Sequence, residues 1–155
     1  MVAYILVFLV GCNISHERVS HDVDLLSNLV ETDLSISAAH WEIFNTPEYI
    51  GGVPGAADYT TLIVEIEPVD LERFQARPKE GTVWVAPEAV RSWLTESSRL
   101  VLRKYRNRNM NLSNMPNCRK LHAKLRKTGK PIEGFICNGL GKSLVYLKLS
   151  DNTVS

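Results

Sequence analysis

Residues 118–137 run CRKLHAKLRKTGKPIEGFIC. From Lys120 to Arg126 polar and apolar residues alternate, the period-two pattern of a half-buried strand. Lys127-Thr128-Gly129-Lys130 is a turn signal, and Ile132 to Cys137 makes a second strand. Partners across an antiparallel hairpin have position numbers of constant sum, and the midpoint of 118 and 137 falls in that turn. Both thiols therefore lie at the open end of one hairpin, within disulfide reach. A bridge there stabilises by about 3 kcal/mol through loop closure. It requires an oxidising compartment; in a cytosolic protein Cys118 and Cys137 would be two buried free thiols.

Working outward, Ser143 to Leu149 predicts a last strand after a turn at Gly139–Gly141. Upstream, Asn107 to Asn117 reads as an Asn-rich loop. Pro87 suits the first position of a helix running to about Tyr105, because its missing N–H needs no partner there. Glu88 at its start and Arg103, Lys104 and Arg106 at its end complement the helix dipole. Thr82 to Ala86, Thr61 to Glu67 and Ala38 to Phe44 read as strands. In the second of these Leu62, Val64 and Ile66 take one face and Glu65 and Glu67 the other. Residues 45–58, with Pro47, Gly51, Gly52, Pro54 and Gly55, are a loop. Asp22 to Asp33 reads as a short amphipathic helix with Ser20 or Asp22 as N-cap. Strands outnumber helices and close in a C-terminal meander. The expected class is α+β: an antiparallel sheet of about five short strands with one or two helices packed on one face.

The chain of 155 residues suits a single domain. Its net charge of +1 conceals a strong asymmetry. Carboxylates dominate as far as Glu80. From Arg99 to Lys130 there are 11 Lys or Arg residues and no Asp or Glu. Lys120, His122, Lys124 and Arg126 share one strand face by alternation. With Arg103, Lys104, Arg106 and Arg108 they are expected to form one positive surface. The competing reading is a solvated face paired internally with the acidic first half.

The first residues, MVAYILVFLVGC, place nine apolar residues, Val2 to Val10, before Gly11-Cys12. That is the length of a signal-peptide apolar region and too short to span a bilayer. Leu9-Val10-Gly11-Cys12 resembles the lipobox of bacterial lipoproteins. The resemblance covers the first dozen residues only, and the run lacks the Lys or Arg that usually precedes it. It implies a signal peptide over residues 1–11, lipidation of Cys12 with a diacylglyceryl group and palmitate, a polar tether over 12–21, and a single domain over 22–155. It places the protein in the cell envelope, anchored to a membrane and facing the periplasm. Asn13 in place of Asp leans towards the outer membrane. The rival reading of Val2 to Val10 is a buried strand.

Other chemistry is thinly represented. Gly141-Lys142-Ser143 has the tail of a P-loop, but position 136 is Ile where the motif needs Gly, and a strand follows. No Gly-x-Ser-x-Gly and no Cys-x-x-Cys occurs, so neither a nucleophile nor a metal site is indicated. No cofactor is implied. The expected role is non-enzymatic binding in the envelope. The expected partners are anionic lipid or an envelope protein, engaged through Arg103, Lys104, Arg106, Lys120, Lys124 and Arg126. Nucleic acid is not expected: the pI is 7.7 and aromatic residues near the basic run are few. That reading gains only if the N-terminus is not a signal. A cell-wall or glycan-acting enzyme is the other alternative, with His40 or Asp58 beside the Gly/Pro loop.

Overall fold

The computed structural model describes residues 18–48 and 59–151. Thirteen short elements follow one another. They are α1 (Val23–Leu29), β1 (Val30–Glu31), β2 (Ala39–Thr46), β3 (Tyr59–Ile66), α2 (Leu71–Gln75) and β4 (Thr82–Val85). A 3-10 turn (Pro87–Ala89), α3 (Glu96–Lys104), β5 (Arg108–Asn111) and a second 3-10 turn (Leu112–Asn114) come next. The last described elements are β6 (Cys118–Leu125), β7 (Pro131–Asn138) and β8 (Ser143–Asp151).

Six strands form one antiparallel sheet in the order β1-β6-β7-β8-β3-β2, and β4 pairs with β5 in a small second sheet. The α+β expectation holds at that level. The large sheet has six strands rather than about five, and helices lie on both of its faces rather than one. Leu26 of α1 and Phe74 of α2 join Leu62, Val64, Leu121, Ile136, Val145 and Leu147 on the first face. Leu102 of α3 joins Ile63, Phe135, Leu144, Tyr146 and the residues of β4 and β5 on the second. A sheet buried on both faces needs apolar residues at odd and even positions alike, and β3 supplies Leu62, Ile63 and Val64 in succession.

The predicted β6–β7 hairpin has the predicted register. Cys118 faces Cys137, and the pairing continues to Lys124 opposite Pro131. The Leu125 N–H donates to the Lys130 carbonyl, closing the turn. Gly134 lies opposite Leu147, where a Cβ would sit 1.8 Å from the Tyr146 carbonyl oxygen. Only glycine lets β7 approach β8 this closely.

Asp22 caps α1 by accepting from the Leu25 N–H at 2.8 Å. The helix stops at Leu29, earlier than expected, because Val30 turns extended and pairs with Leu125. Ser20, at the end of the expected tether, bridges Trp41 through two backbone hydrogen bonds.

Two other expectations fail. The helix predicted over Pro87 to Tyr105 is a single 3-10 turn, an irregular stretch, and then α3. Arg91, Trp93 and Leu94 are drawn inward there, and their side-chain contacts outweigh continuous helix. The Asn-rich segment is not all loop: it forms β5, held by the buried Met110 opposite Val83.

Candidate anion-binding surface

The hairpin is stapled where the register brings its thiols together. Cys118 and Cys137 form a disulfide with their Cα atoms 4.0 Å apart. Both are buried against the second face of the sheet.

The basic residues divide into separate groups along β6. At the turn end, Lys124, Arg126, Lys127 and Lys130 are exposed. Arg126 fastens this end to α1: its backbone N–H donates to Leu29 and its Nε to the Ser27 carbonyl at 2.8 Å. A cation at a helix C-terminus is favourable there. At the disulfide end lie the basic residues of α3. Tyr105 Oη donates to Met115 Sδ, and the Met115 carbonyl accepts from Cys118 N–H. Arg103 sits 3.8 Å from Glu96, Lys104 stands over the Tyr105 ring, and Arg106 Nε donates to the Pro87 carbonyl. Cys118 and Arg126 are separated by about 25 Å of extended strand. The structure thus places Arg103, Lys104 and Arg106 at one end and Lys124 and Arg126 at the other, with Lys120 between.

Lys120 borders an open cleft of about 470 Å³ along the outer edge of β6, lined also by Asp33, Arg73, Ala76, Arg77, Pro78 and His122. The cleft exists because β1 is only two residues long and pairs with Leu125 and Lys124 alone. Beyond Glu31 the chain leaves the sheet, and Asp33 takes the Arg77 guanidinium, with both carboxylate oxygens 2.9 Å from Nη2. On the other side, Pro78 accepts from the Lys120 N–H at 2.7 Å. Glu133, cross-strand from His122, approaches Lys120 Nζ at 3.2 Å and His122 Nδ1 at 3.6 Å.

Two carboxylates, Glu65 and Glu42, are buried beneath the start of α3 and the irregular stretch before it. Glu65 is 4% exposed and accepts three hydrogen bonds on Oε1: from Thr95 N–H at 2.9 Å, Thr95 Oγ1 at 2.6 Å and Ser98 Oγ at 2.5 Å. It replaces the side-chain cap that Thr95 itself does not provide. Glu42, 2% exposed, accepts from Trp93 Nε1 and pairs with Arg91 at 3.1 Å. Arg91 also grips Glu48 with both terminal nitrogens and lies over the Phe44 ring. These groups tie the irregular stretch before α3 to β2 and β3, a structural task. Alternation assigns Glu65 to the face opposite Val64; only the burial of that face was missing from the sequence.

Burial raises the Tyr146 phenol above its ordinary 10.0, although the Ala86 N–H donates to its oxygen and favours the ionised form. His40, considered for acid–base chemistry, packs edge-on against His21 with ring centroids 4.3 Å apart. Asp58 and Cys12 lie outside the described residues. Among the described residues no group of three or more His, Cys, Asp or Glu is placed to hold a metal ion. None of their helices is long and apolar enough to cross a membrane. Comparison with family models, curated proteins and solved structures found no match, so the site rests on its own geometry.

Proposed function

We propose that this chain is a non-enzymatic lipoprotein of the bacterial cell envelope. Cys12 anchors it to a membrane, and its disulfide-stapled domain contacts anionic envelope components through the basic β6–β7 hairpin. One observation carries the reading. Lys124, Arg126, Lys127 and Lys130 crowd the exposed hairpin end, and no described carboxylate lies within ion-pair distance of any of them. Exposed cations clustered at a turn suit a phosphate-rich surface, and a lipid anchor would supply a second membrane signal. The disulfide is consistent with an oxidising compartment.

The test is vesicle sedimentation of the chain from Asn13 onward, which lacks the leader and Cys12. Adhesion to phosphatidylglycerol vesicles is expected to fall steeply with salt. Replacing Arg126, Lys127 and Lys130 by Gln removes about 1 kcal/mol each, so the triple variant binds roughly a hundredfold more weakly. Adhesion indifferent to salt and to these substitutions refutes the surface. Intact-mass measurement of the membrane fraction tests the anchor separately: an unmodified Cys12 on an uncut chain refutes it.

A further inference from the structure

The geometry points to a second, discrete site: the break in the outer edge of β6 at His122 binds a phosphoryl group. The inference does not depend on the envelope address or on the cationic turn.

The strand pairing shows which backbone groups face the break. Lys120 N–H points outward to Pro78, and Arg126 N–H outward to Leu29. Hydrogen-bonding direction alternates along an antiparallel pair. His122 and Lys124 therefore point outward too, in agreement with Pro131, which has no N–H, standing opposite Lys124. Lys124 registers against Glu31. His122 alone lies between the two covered positions, and among the described residues no strand pairs with it on that side. Its N–H thus opens into the cleft, where an edge strand otherwise needs covering.

Three donors border that opening: the outward His122 N–H, Lys120 and Arg73. Two cationic side chains beside a free backbone N–H suit an oxyanion. Arg77, clamped by Asp33, forms a fixed part of the wall. The cleft is much larger than a phosphate, so the group that carries the phosphoryl can be accommodated beside Ala76 and Pro78. The competitor for Lys120 is Glu133.

The experiment is an amide NMR titration of the full-length, disulfide-intact protein with inorganic phosphate, at constant ionic strength held by chloride. The Lys120 and His122 signals are expected to move saturably. Lys120→Gln weakens binding about tenfold, as for loss of one charged hydrogen bond. Glu133→Gln frees Lys120 and tightens binding about threefold, the size of a surface ion pair. A merely structural role for Glu133 gives no such gain. Lys127→Gln leaves the saturable Lys120 and His122 shifts unchanged, whatever it does to signals at the cationic turn, which separates the two sites. Tighter binding of glycerol 3-phosphate than of phosphatidic acid in bicelles assigns a soluble ligand, and the reverse assigns a lipid headgroup; either upholds the phosphoryl site. Shifts spread evenly over the surface cations, or unaltered by Lys120→Gln, overturn it.

Discussion

Replacing Glu65 by Ala removes the acceptor on which the start of α3 depends. All three hydrogen bonds fall on Oε1, and each is charge-assisted. A hydrogen bond to a charged group contributes about 1.5–3 kcal/mol, but three sharing one oxygen do not add. The Thr95 N–H and two hydroxyls would be left in a part-buried or buried site, and the burial of one methylene, about 0.8 kcal/mol, is lost as well. The expected destabilisation is about 4 kcal/mol, a large share of the 5–15 kcal/mol typical of a domain. Glu65→Gln keeps the shape and one carbonyl acceptor. It loses the negative charge facing the helix N-terminus, and is expected to cost about 1–2 kcal/mol. Urea unfolding followed by circular dichroism reads both values from the midpoint at unchanged slope. An alanine variant within about 1 kcal/mol of the parent refutes the capping account. So does a glutamine variant as damaged as the alanine one, since that would make the charge, rather than the acceptor, the whole effect.

Gly134→Ala drives a methyl group into the β8 backbone; a loss of more than about 3 kcal/mol is expected by thermal or urea unfolding, and a tolerated alanine contradicts the strand approach. Reducing the Cys118–Cys137 bridge, which closes a loop with a sequence separation of 19, lowers stability by about 3 kcal/mol, measured by unfolding with and without reductant. Tyr146→Phe leaves the Ala86 N–H without its acceptor and costs about 1–3 kcal/mol at neutral pH. Because burial holds the folded phenol above its ordinary value, the unfolded chain loses that proton first. Stability therefore drains from the parent as pH rises past about 10, and its advantage over the Phe variant narrows there. An advantage constant from pH 8 to about 11 contradicts that burial effect.

What the sequence made legible was what local periodicity controls. The hairpin register followed from alternation and a turn, because one slipped residue would have exposed Leu121 and Ala123. The α1 start fell at Asp22, one of the two N-cap candidates, and not at Ser20. What stayed hidden depended on a second buried face. Alternation put Glu65 on the strand face opposite Leu62, Val64 and Ile66, Glu42 was given no face, and solvent is the ordinary place for both carboxylates. Both are instead covered by a segment about 30 to 50 residues away that brings Arg91, Trp93, Thr95 and Ser98. The same contacts broke the helix read from Pro87. For α2 the signal was present: Asp70 caps it by accepting from the Glu72 and Arg73 N–H groups. Five residues were too few for helical periodicity to register. Of the binding residues, Lys120 gained most from the structure, since its cleft depends on Asp33, Arg73 and Arg77, from the half of the chain read as acidic.

The two covered faces constrain where this protein meets anything else. A ligand on either face of the large sheet would have to displace α1 and α2 from one side, or α3 and the β4–β5 pair from the other. Exposed polar chemistry on the described part of the large sheet is found at its rims and at the turn end of β6 and β7, where His122 and Glu133 stay exposed. On one rim Ser20 bridges Trp41 of β2. On the other, β6 is sealed by Pro78 at Lys120 and by β1 at Lys124, with the break between them. The disulfide lies two positions from Lys120 and directly joins the strand that carries the break to the strand that carries Glu133. Holding β6 and β7 in register therefore also holds Lys120, His122 and Glu133 in their relative places. The staple and the cleft act on the same two strands, so reduction is expected to blur the site as well as lower the stability of the fold.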